Sequence, residues 1–462
     1  MHLLTITNFL IIIGRICEHY IDMRRTKICM ETDRISSLPC DVIDNILKYL
    51  PLCEAVRTSV LSREWRYQWE TIPCLVFGST CKVNLLRKYD WVSIIDQILL
   101  LHKGSITKFS LTIADLKMCR GIDNWLRFLS NCHVEELTFC FDFPDSHPVI
   151  SEFLFTLDEL THLCLVYGEL KPPPAFRGFE RLVRLDLFNV FISAGEFKSF
   201  ISKCPMLEYM KLESFGTKAI GDLEIDAPNL KFFSYRGRLS SICFKNTLLL
   251  AEMTMTSHRL KSLHDLQMPN DFAKFEPNDS NVVRILGQLP SITKLTVNRD
   301  FLQYLAGGGS GDGVPKKLPN DLNHMRLLTF WIINLSTIAE VTCALCLIRS
   351  SPKLQSLTIT ALGLRNPENL KTAAEFIKAQ QECEITLSSL ENINIRNFSG
   401  LEPEMEFVKL LLSAATALRK LEIITKNSNV SGKARPEIFE ELVSSRRASV
   451  QAEIIVRDFD HI

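Results

Sequence analysis

The chain has 462 residues with 53 basic and 53 acidic side chains, so its formal net charge is zero. Nucleic-acid binding draws on a positive field that neutralises several phosphates, and the overall charge balance supplies none. The length and the 46% hydrophobic content allow a large core, either in more than one domain or in one elongated repeat domain.

Residues 1–32 are predicted to be a disordered or dispensable N-terminal extension. Their apolar run LLTITNFLIII, residues 3–13, is too short to span a bilayer. A signal peptide would need a basic residue ahead of this run and a small-residue cleavage site after it, and neither is present. Met23 or Met30 is therefore a candidate start of translation, and a secreted protein is the minority interpretation.

The fifteen cysteines do not have the spacing of a disulfide framework. Many, such as Cys164 and Cys243, lie in apolar stretches, which predicts free thiols in the reducing environment of the cytoplasm or nucleus. The C-x-x-C pair Cys343 and Cys346 lies in the apolar run VTCALCLI with no second pair near it. Core packing is therefore favoured over a zinc or redox role. We expect neither a metal nor a cofactor.

Residues 33–75 are predicted to form a small helical domain. An apolar helical spacing precedes Pro51, a second short helix is expected over 54–60, and a third is expected to begin near Ser62. On the third helix, Trp65 and Trp69 stand four residues apart, on one face. About forty residues are too few for a stable isolated core. We therefore expect this segment to fold against a partner.

The stretch EAVRTSVLSREWRYQW, residues 54–69, has two competing interpretations. Its arginines could bind phosphates while its tryptophans stack on bases. Tryptophan and arginine are also the usual anchors of protein interfaces, and this second interpretation is favoured. For Val56 and Trp69, packing between the helices is an equally good explanation. Arg57, Arg63 and Arg66 are expected to be solvated or locally paired.

Three segments, ISSLP (35–39), ILKYLP (46–51) and the stretch 54–69, together resemble the F-box of plant F-box proteins with leucine-rich repeats. Cys40 departs from that family, in which an acidic residue commonly follows the Leu-Pro pair. The resemblance implies that the domain binds the groove of a Skp-type adaptor and, through it, a cullin–RING ubiquitin ligase. The residues implied in adaptor binding are Leu38, Pro39, Ile43, Ile46, Leu47, Leu50, Pro51, Val60, Leu61 and Trp65.

From residue 106 onward the spacing apolar-x-x-apolar-x-apolar occurs in twelve copies, beginning with Ile106-Phe109-Leu111 and ending with Leu418-Leu421-Ile423. Most steps between copies are close to the 20–29 residues of leucine-rich repeats. Helical segments precede several copies. The pattern predicts an α/β solenoid over 76–380, with a parallel sheet on the concave face and helices outside. Phe215, Leu362 and Phe398 replace the Asn or Cys expected after the strand, which predicts irregular repeats with hydrophobic turns.

Two long steps between copies are interpreted as insertions, at 258–280 and 305–319. The glycine-rich second insertion, LAGGGSGDGVPKKLP, matches neither of the common phosphate-binding motifs and is predicted to be a flexible loop. Residues 381–462 resemble the FBD region that closes many plant F-box proteins with leucine-rich repeats. This resemblance implies a C-terminal cap over the open end of the sheet.

The sequence therefore predicts a non-catalytic substrate receptor of a Skp–cullin–F-box type ubiquitin ligase that binds a protein target and neither nucleic acid nor membrane. The alternatives are an adaptor-binding scaffold, a sensor of a small ligand and a cryptic hydrolase, although no catalytic motif occurs. Strand residues between the apolar positions should line the concave face. Among them, the aromatic residues and arginine are the preferred anchors for the target. These anchors are Tyr209, Phe232, Trp331 and Arg396, of which Phe232 could instead be buried.

Overall fold

The computed structural model describes residues 38–61, 65–78, 91–112, 121–140, 149–214, 223–236, 242–256, 285–306, 314–362, 367–380, 386–425 and 435–458. The predicted N-terminal extension, the insertion 258–280 and residues 307–313 of the glycine-rich insertion lie outside these residues. The chain divides into two compact units, and among the described residues the first ends at Leu207 and the second begins at Glu208.

Unit 1 begins with the predicted helical domain. It consists of helix α1 (Cys40–Leu47), helix α2 (Leu52–Arg57) and 3₁₀ helices over Thr58–Val60 and Trp65–Thr71. Pro39 and Pro51 immediately precede α1 and α2, where a missing N–H costs nothing. The second helix thus starts at Leu52 rather than at residue 54. The predicted third helix is a 3₁₀ helix from Trp65, whereas Ser62 lies outside the described residues.

The rest of unit 1 is a parallel sheet of five described strands with helices between them. In chain order the elements are β1 (Cys74–Phe77), α3 (Trp91–Leu101), β2 (Lys108–Leu111), α4 (Gly121–Leu129), β3 (Glu136–Cys140), a 3₁₀ helix (Glu152–Thr156), β4 (His162–Glu169), β5 (Arg184–Phe191) and α5 (Ala194–Ile201).

Unit 2 continues the same alternation. Its described elements are β6 (Tyr209–Glu213), β7 (Leu223–Asp226), β8 (Phe232–Arg236), β9 (Ile242–Lys245), β10 (Glu252–Thr256), β11 (Lys294–Asn298), α6 (Arg299–Leu305), β12 (Leu327–Ile333), α7 (Ile338–Arg349), β13 (Ser356–Ala361), α8 (Pro367–Gln380), β14 (Asn392–Phe398), α9 (Glu402–Ala414), β15 (Lys420–Thr425), α10 (Arg435–Ser444) and β16 (Glu453–Asp458). Strands β7 and β9 pair with each other, and the others form one parallel sheet in chain order.

The core of both units is built from the predicted apolar triplets. All twelve copies are buried at each of their three positions, from Ile106, Phe109 and Leu111 to Leu418, Leu421 and Ile423. The last two members of every triplet lie on a strand and point to the same side of the sheet. The leucine-rich-repeat architecture predicted from the spacing is therefore confirmed.

The strand-to-helix turns differ from the predicted hydrophobic packing. Phe398 is buried, as expected for an apolar turn residue. The preceding Asn397, however, has a left-handed φ of 57° and donates from Nδ2 to the Ala361 carbonyl at 2.6 Å. Leu362 is half-buried, and Phe215 lies outside the described residues. An amide thus joins neighbouring repeats here, so the prediction of purely hydrophobic packing is wrong at this turn.

Glutamates at the start of the following helices complete these turns. Glu340 of α7 accepts the backbone N–H of Asn334 at 2.7 Å. Glu404 of α9 accepts the N–H groups of Ser399 and Leu401 at 2.9 and 3.2 Å. Both glutamates are buried. A buried N–H without a partner is costly. These carboxylates therefore provide the hydrogen-bond acceptors at turns that lack the Asn or Cys expected after the strand.

The FBD-like region ends the sheet of unit 2 by extending it. Strands β14, β15 and β16 pair in parallel with one another, and β14 pairs with β13. The last of these strands carries the charged side chains Glu453, Arg457 and Asp458. Charged side chains on a terminal strand oppose pairing with other chains, so the edge is protected by its own sequence rather than by a separate lid. Among the described residues, no helix has the length and apolar character needed to cross a membrane.

Candidate functional site

Three residues predicted to contact an adaptor are instead interior residues of the helical domain. Ile43 and Leu47 of α1 are 1% exposed, and Trp65 is 2% exposed. They pack the short helices against one another, and a side chain buried in this way has no surface left for a partner. Their burial argues against direct adaptor contact at these three positions, and the Trp65→Ala variant tests this. Val56 and Trp69, for which both roles were open, are buried as well.

Other predicted adaptor residues lie at the surface. Pro39, Ile46, Pro51 and Leu61 are exposed, and Leu38 and Leu50 are half-buried. The side chain of Val60 lies outside the described residues. This set surrounds the start and end of α1, so the surface members remain candidates for a partner interface.

Sequence analysis missed two exposed apolar residues beside this set. Val42 and Tyr49 are 40% and 84% exposed, and Ile46 between them is 38% exposed. The three residues are spaced by four and three positions and therefore lie along one side of α1 and the turn after it. We call them the α1 stripe. The signal was present in the sequence, since Val42 and Ile46 belong to the same apolar pattern as Ile43 and Leu47.

The geometry of the arginine- and tryptophan-rich stretch does not support a nucleic-acid site. Trp65 and Trp69 are buried, so neither ring is available to stack on a base. Arg57 forms an ion pair with Glu54, at 2.5 Å between Nη1 and Oε1. Arg66 is exposed and Arg63 lies outside the described residues. The local pairing expected for these arginines is thus observed at Arg57.

The helical domain is attached to the first strands of unit 1 by polar contacts. The Glu70 carbonyl accepts the backbone N–H groups of Lys103 and Gly104 at 2.8 and 3.3 Å. The Lys103 ammonium lies 2.6 Å from the Glu70 carboxylate, and this hydrogen bond raises the pKa of Lys103. A Cβ on Gly104 would lie 2.6 Å from the Thr71 carbonyl oxygen, so only glycine fits there. The Glu70–Lys103–Gly104 latch fixes the helical domain on the repeat sheet.

The exposed strand positions form a second surface, which we call the open face of each sheet. On β6, Met210 and Leu212 are buried whereas Tyr209, Lys211 and Glu213 are half-exposed. Most other strands alternate in the same phase, in agreement with the phase assumed for the predicted target residues, although Ser110, Asp186 and Ser234 are buried and β16 does not alternate.

The four predicted target anchors occupy three places on the open face of unit 2. Tyr209 and Phe232 stand opposite each other in register, with ring centroids 4.2 Å apart and an interplanar angle of 1°. Phe232 is half-exposed and is therefore not a core residue. Trp331 on β12 is 46% exposed. Arg396 on β14 is exposed and donates from Nε to Asn394 at 3.1 Å.

The open face of unit 1 is dominated by paired charges. Lys108 lies 2.6 Å from Glu136, and Asp186 accepts from Arg184 at 2.7 Å and contacts His162 at 3.3 Å. Burial alone would raise the pKa of Asp186. The hydrogen bonds from His162 and Arg184, with the Arg184 charge, outweigh burial and hold that pKa below its usual range.

The C-x-x-C pair gives no indication of metal or redox chemistry. Cys343 and Cys346 are buried in α7; burial raises the pKa of Cys346 to about 11 and also raises that of Cys343. Their thiols are therefore protonated at neutral pH, whereas metal binding and nucleophilic attack need thiolates. Eight described cysteines are free, but Cys53 is disulfide-bonded, so the expectation of free thiols is wrong at that residue.

Comparisons with known families and proteins match this architecture. The F-box domain family matches residues 35–77, the leucine-rich repeats of the FBD-associated F-box protein At5g56370 match 122–303, and the FBD family matches 382–423.

Relatives from Arabidopsis thaliana cover most of the chain. The F-box/FBD/LRR-repeat protein At1g13570 is 32% identical over 368 residues, which span 79% of this chain and 84% of that relative. The F-box/LRR-repeat protein At3g03360 is 26% identical over 365 residues, which span 72% of this chain and 71% of that relative. The FBD-associated F-box protein At4g10400 is 23% identical over 337 residues, which span 71% and 78%. The chain belongs to the plant family of F-box/FBD/LRR-repeat proteins.

Proposed function

We propose that this F-box protein is a non-catalytic substrate receptor of a Skp–cullin–F-box type ubiquitin ligase. Its F-box binds a Skp-type adaptor, and the open face of its repeats binds a protein target. The observation that carries this proposal is the α1 stripe, an exposed apolar row on a helix whose opposite side is already buried.

A helix of eight residues that is apolar on two sides needs two partners. One side of α1, with Ile43 and Leu47, is satisfied by the F-box core. The other side presents Val42, Ile46 and Tyr49 to solvent. Fully burying a large apolar side chain is worth about 1.5–3 kcal/mol. Covering the stripe and the exposed Leu61 would therefore supply much of the free energy of a stable interface.

The latch between the F-box and the sheet supports a receptor role. The Glu70 carboxylate is buried and pairs with Lys103, while the Glu70 carbonyl holds two backbone N–H groups. An adaptor docked on α1 would consequently hold the first strands of unit 1 in a fixed orientation. Fixed orientation is what a subunit needs if it is to position a bound protein for modification by another subunit.

Adaptor binding is tested with the full chain and a purified Skp-type adaptor. Replacing Ile46 and Tyr49 by alanine keeps good helix formers in place and removes two interface anchors. Anchors of this kind cost about 2 kcal/mol or more each, so we expect the dissociation constant measured by calorimetry to rise on the order of 1,000-fold. Val450→Ala is the control, because Val450 is an exposed apolar residue of unit 2. Unchanged affinity in the double variant, with unchanged melting temperature, would remove the basis for the proposal.

Ubiquitin transfer is tested separately from adaptor binding. In plant cells, the half-life of a captured target should be shorter with the intact chain than with the Ile46→Ala/Tyr49→Ala variant. An equal half-life despite adaptor binding would identify a scaffold instead of a receptor. Substrate turnover by the purified chain alone would identify an enzyme.

A further inference from the structure

The open face of unit 2 has a central region without charged side chains. At one register position, six neighbouring strands from β8 to β14 carry hydroxyl or amide side chains. We call this set the hydroxyl row, and its members are Ser234, Thr254, Thr296, Thr329, Thr358 and Asn394. Parallel strands are about 4.8 Å apart, so the row is about 24 Å long.

The four threonines of this row have unused hydrogen-bonding capacity. Thr254, Thr296, Thr329 and Thr358 are half-buried, and their hydroxyls make no hydrogen bond to any other described residue. Each hydroxyl can donate once and accept twice. Covering them with purely apolar groups would leave them unsatisfied at a substantial cost. A partner of this row must therefore bring polar groups of its own.

Two exposed apolar side chains flank the row on β12. Leu327 is 43% exposed and Trp331 is 46% exposed, and Thr329 lies between them on the same face of the strand. In register, Leu327 stands opposite Ser356, and Trp331 stands opposite Asn298. The centre of the open face thus combines two apolar anchors with uncharged hydrogen-bonding groups.

Charged side chains flank this region, and several of them are paired; Arg396 on β14 instead donates to Asn394 at the end of the row. Lys294 lies 3.2 Å from Glu252 at one margin, and Lys420 lies 3.1 Å from Glu422 at the other. A charged target group placed over the four threonines would lose hydration, and the nearest charges on their strands, Glu252 and Lys294, are already paired with each other, so this placement is unfavourable. The open face of unit 1 differs, because its strands carry Lys108, Glu136 and Asp186.

We propose that the hydroxyl row, with Leu327 and Trp331, binds an uncharged segment of the target polypeptide that carries aromatic or aliphatic anchors beside Ser, Thr, Asn or Gln. This inference rests on the proposed receptor function and specifies the chemistry of its target. Apolar anchors of the segment cover Leu327 and Trp331, and its polar groups pair with the threonine hydroxyls.

The probe is a library of random twelve-residue peptides displayed on phage and sorted against the full chain bound to its adaptor. We expect enriched peptides to lack charged residues at their centre and to combine an aromatic residue or leucine with Ser, Thr, Asn or Gln. Their affinity should change less than about twofold between low and high salt, because screening acts only on charges. Enrichment of charged peptides with strong salt dependence would overturn the inference.

Variants locate the binding site. Trp331→Ala and Thr296→Lys should each weaken the enriched peptides at least about tenfold. Sorting the library again on Thr296→Lys should select peptides with Asp or Glu, an outcome that misfolding cannot produce. The matched control is Thr138→Lys, at the equivalent register position on β3 of unit 1, and it should leave binding unchanged. An equal effect of Thr138→Lys, or no effect of Thr296→Lys, would contradict the assignment.

Two further measurements separate this inference from its alternatives. Binding of neutral oligosaccharides with the same sensitivity to Trp331→Ala, in the absence of peptide binding, would overturn a polypeptide target. Adaptor affinity is measured for every variant. Peptide binding without adaptor binding would refute the receptor function but not the proposed binding surface. Adaptor binding without peptide binding would refute only the proposed binding surface.

Discussion

Helix α1 and strand β12 are both apolar on two sides, but they achieve this differently. In α1 the buried Ile43 and Leu47 directly follow the exposed Val42 and Ile46. In β12 the buried Leu328 and Phe330 alternate with the exposed Leu327 and Trp331, apart from Thr329 at the hydroxyl row. The helix belongs to a domain of about forty residues, whereas the strand is paired on both sides within a large sheet.

The difference determines how freely each surface can change. The F-box core contains few side chains, so each one is important to the fold that presents the α1 stripe. In the sheet, Leu328 packs in register with Leu295 and Leu357 of the neighbouring strands, and the open face contributes little to this core. A target surface on strands can therefore diverge while the fold is kept, whereas an adaptor surface on α1 is tied to its domain.

The comparison of the F-box with the sheet predicts the largest loss of stability at Trp65. Trp65→Ala removes a buried indole and should lower the free energy of unfolding by about 3–5 kcal/mol. Adaptor binding should be lost as a consequence of unfolding, because Trp65 is buried within the F-box. Chemical denaturation of the full chain and limited proteolysis of the F-box measure the unfolding, and calorimetry with the purified adaptor measures the loss of binding.

Tyr49→Ala is the control for Trp65→Ala, because Tyr49 is exposed in the same domain. Its effect on stability should stay within about 0.5 kcal/mol, while the adaptor affinity falls. If Trp65→Ala were as stable as the parent and still lost the adaptor, Trp65 would be an interface residue after all.

A smaller effect is expected on the open face of unit 2, at Tyr209 and Trp331. Tyr209→Ala breaks the stack with Phe232, and such pairs are worth about 0.5–1.5 kcal/mol beyond their buried area. Trp331→Ala should change stability by less than about 0.5 kcal/mol. Both substitutions should reduce target capture, and Tyr209→Phe should preserve stability. A loss of several kcal/mol in Trp331→Ala would show that Trp331 is a core residue.

The sheet was largely predictable because its signal is periodic. The triplets identified every strand from β2 to β15 except the pair β7 and β9. Strand β1 has the same spacing, Ile72-Leu75-Phe77, but it was hidden within the segment that resembles the F-box. Strand β16 was missed because the polar Gln451 occupies the first triplet position.

The candidate sites were less predictable because they depend on contacts between distant residues. Spacing shows that α1 is apolar, but only packing shows that Ile43 points inward and Ile46 outward. The glutamates at the turns are similar: nothing in the residues around Glu340 indicates that its carboxylate takes the N–H of Asn334. The hydroxyl row needs the register of six strands, which sequence spacing alone does not give.

The smallest predicted effect concerns the charged open face of unit 1. Asp186→Asn removes a buried carboxylate that accepts from Arg184 and His162. Hydrogen bonds to charged groups are worth about 1.5–3 kcal/mol, but both donors are partly exposed and solvent weakens the interaction, so we expect a loss of about 1 kcal/mol at neutral pH. Glu159→Gln is the control, because its partner His133 is largely exposed and the pair should contribute almost nothing.

The lowered pKa of Asp186 determines how the stability difference between the parent and Asp186→Asn changes with pH. The pKa of Asp186 is lower in the folded chain than the ordinary value of 3.8. The contribution of Asp186 to stability is therefore complete above 3.8 and is lost as the pH falls through the lower, folded value. The stability difference between the parent and Asp186→Asn should accordingly be constant near neutrality and shrink only in strong acid. A difference that already disappeared between pH 7 and pH 5 would contradict a lowered pKa of the Asp186 carboxyl in the folded chain.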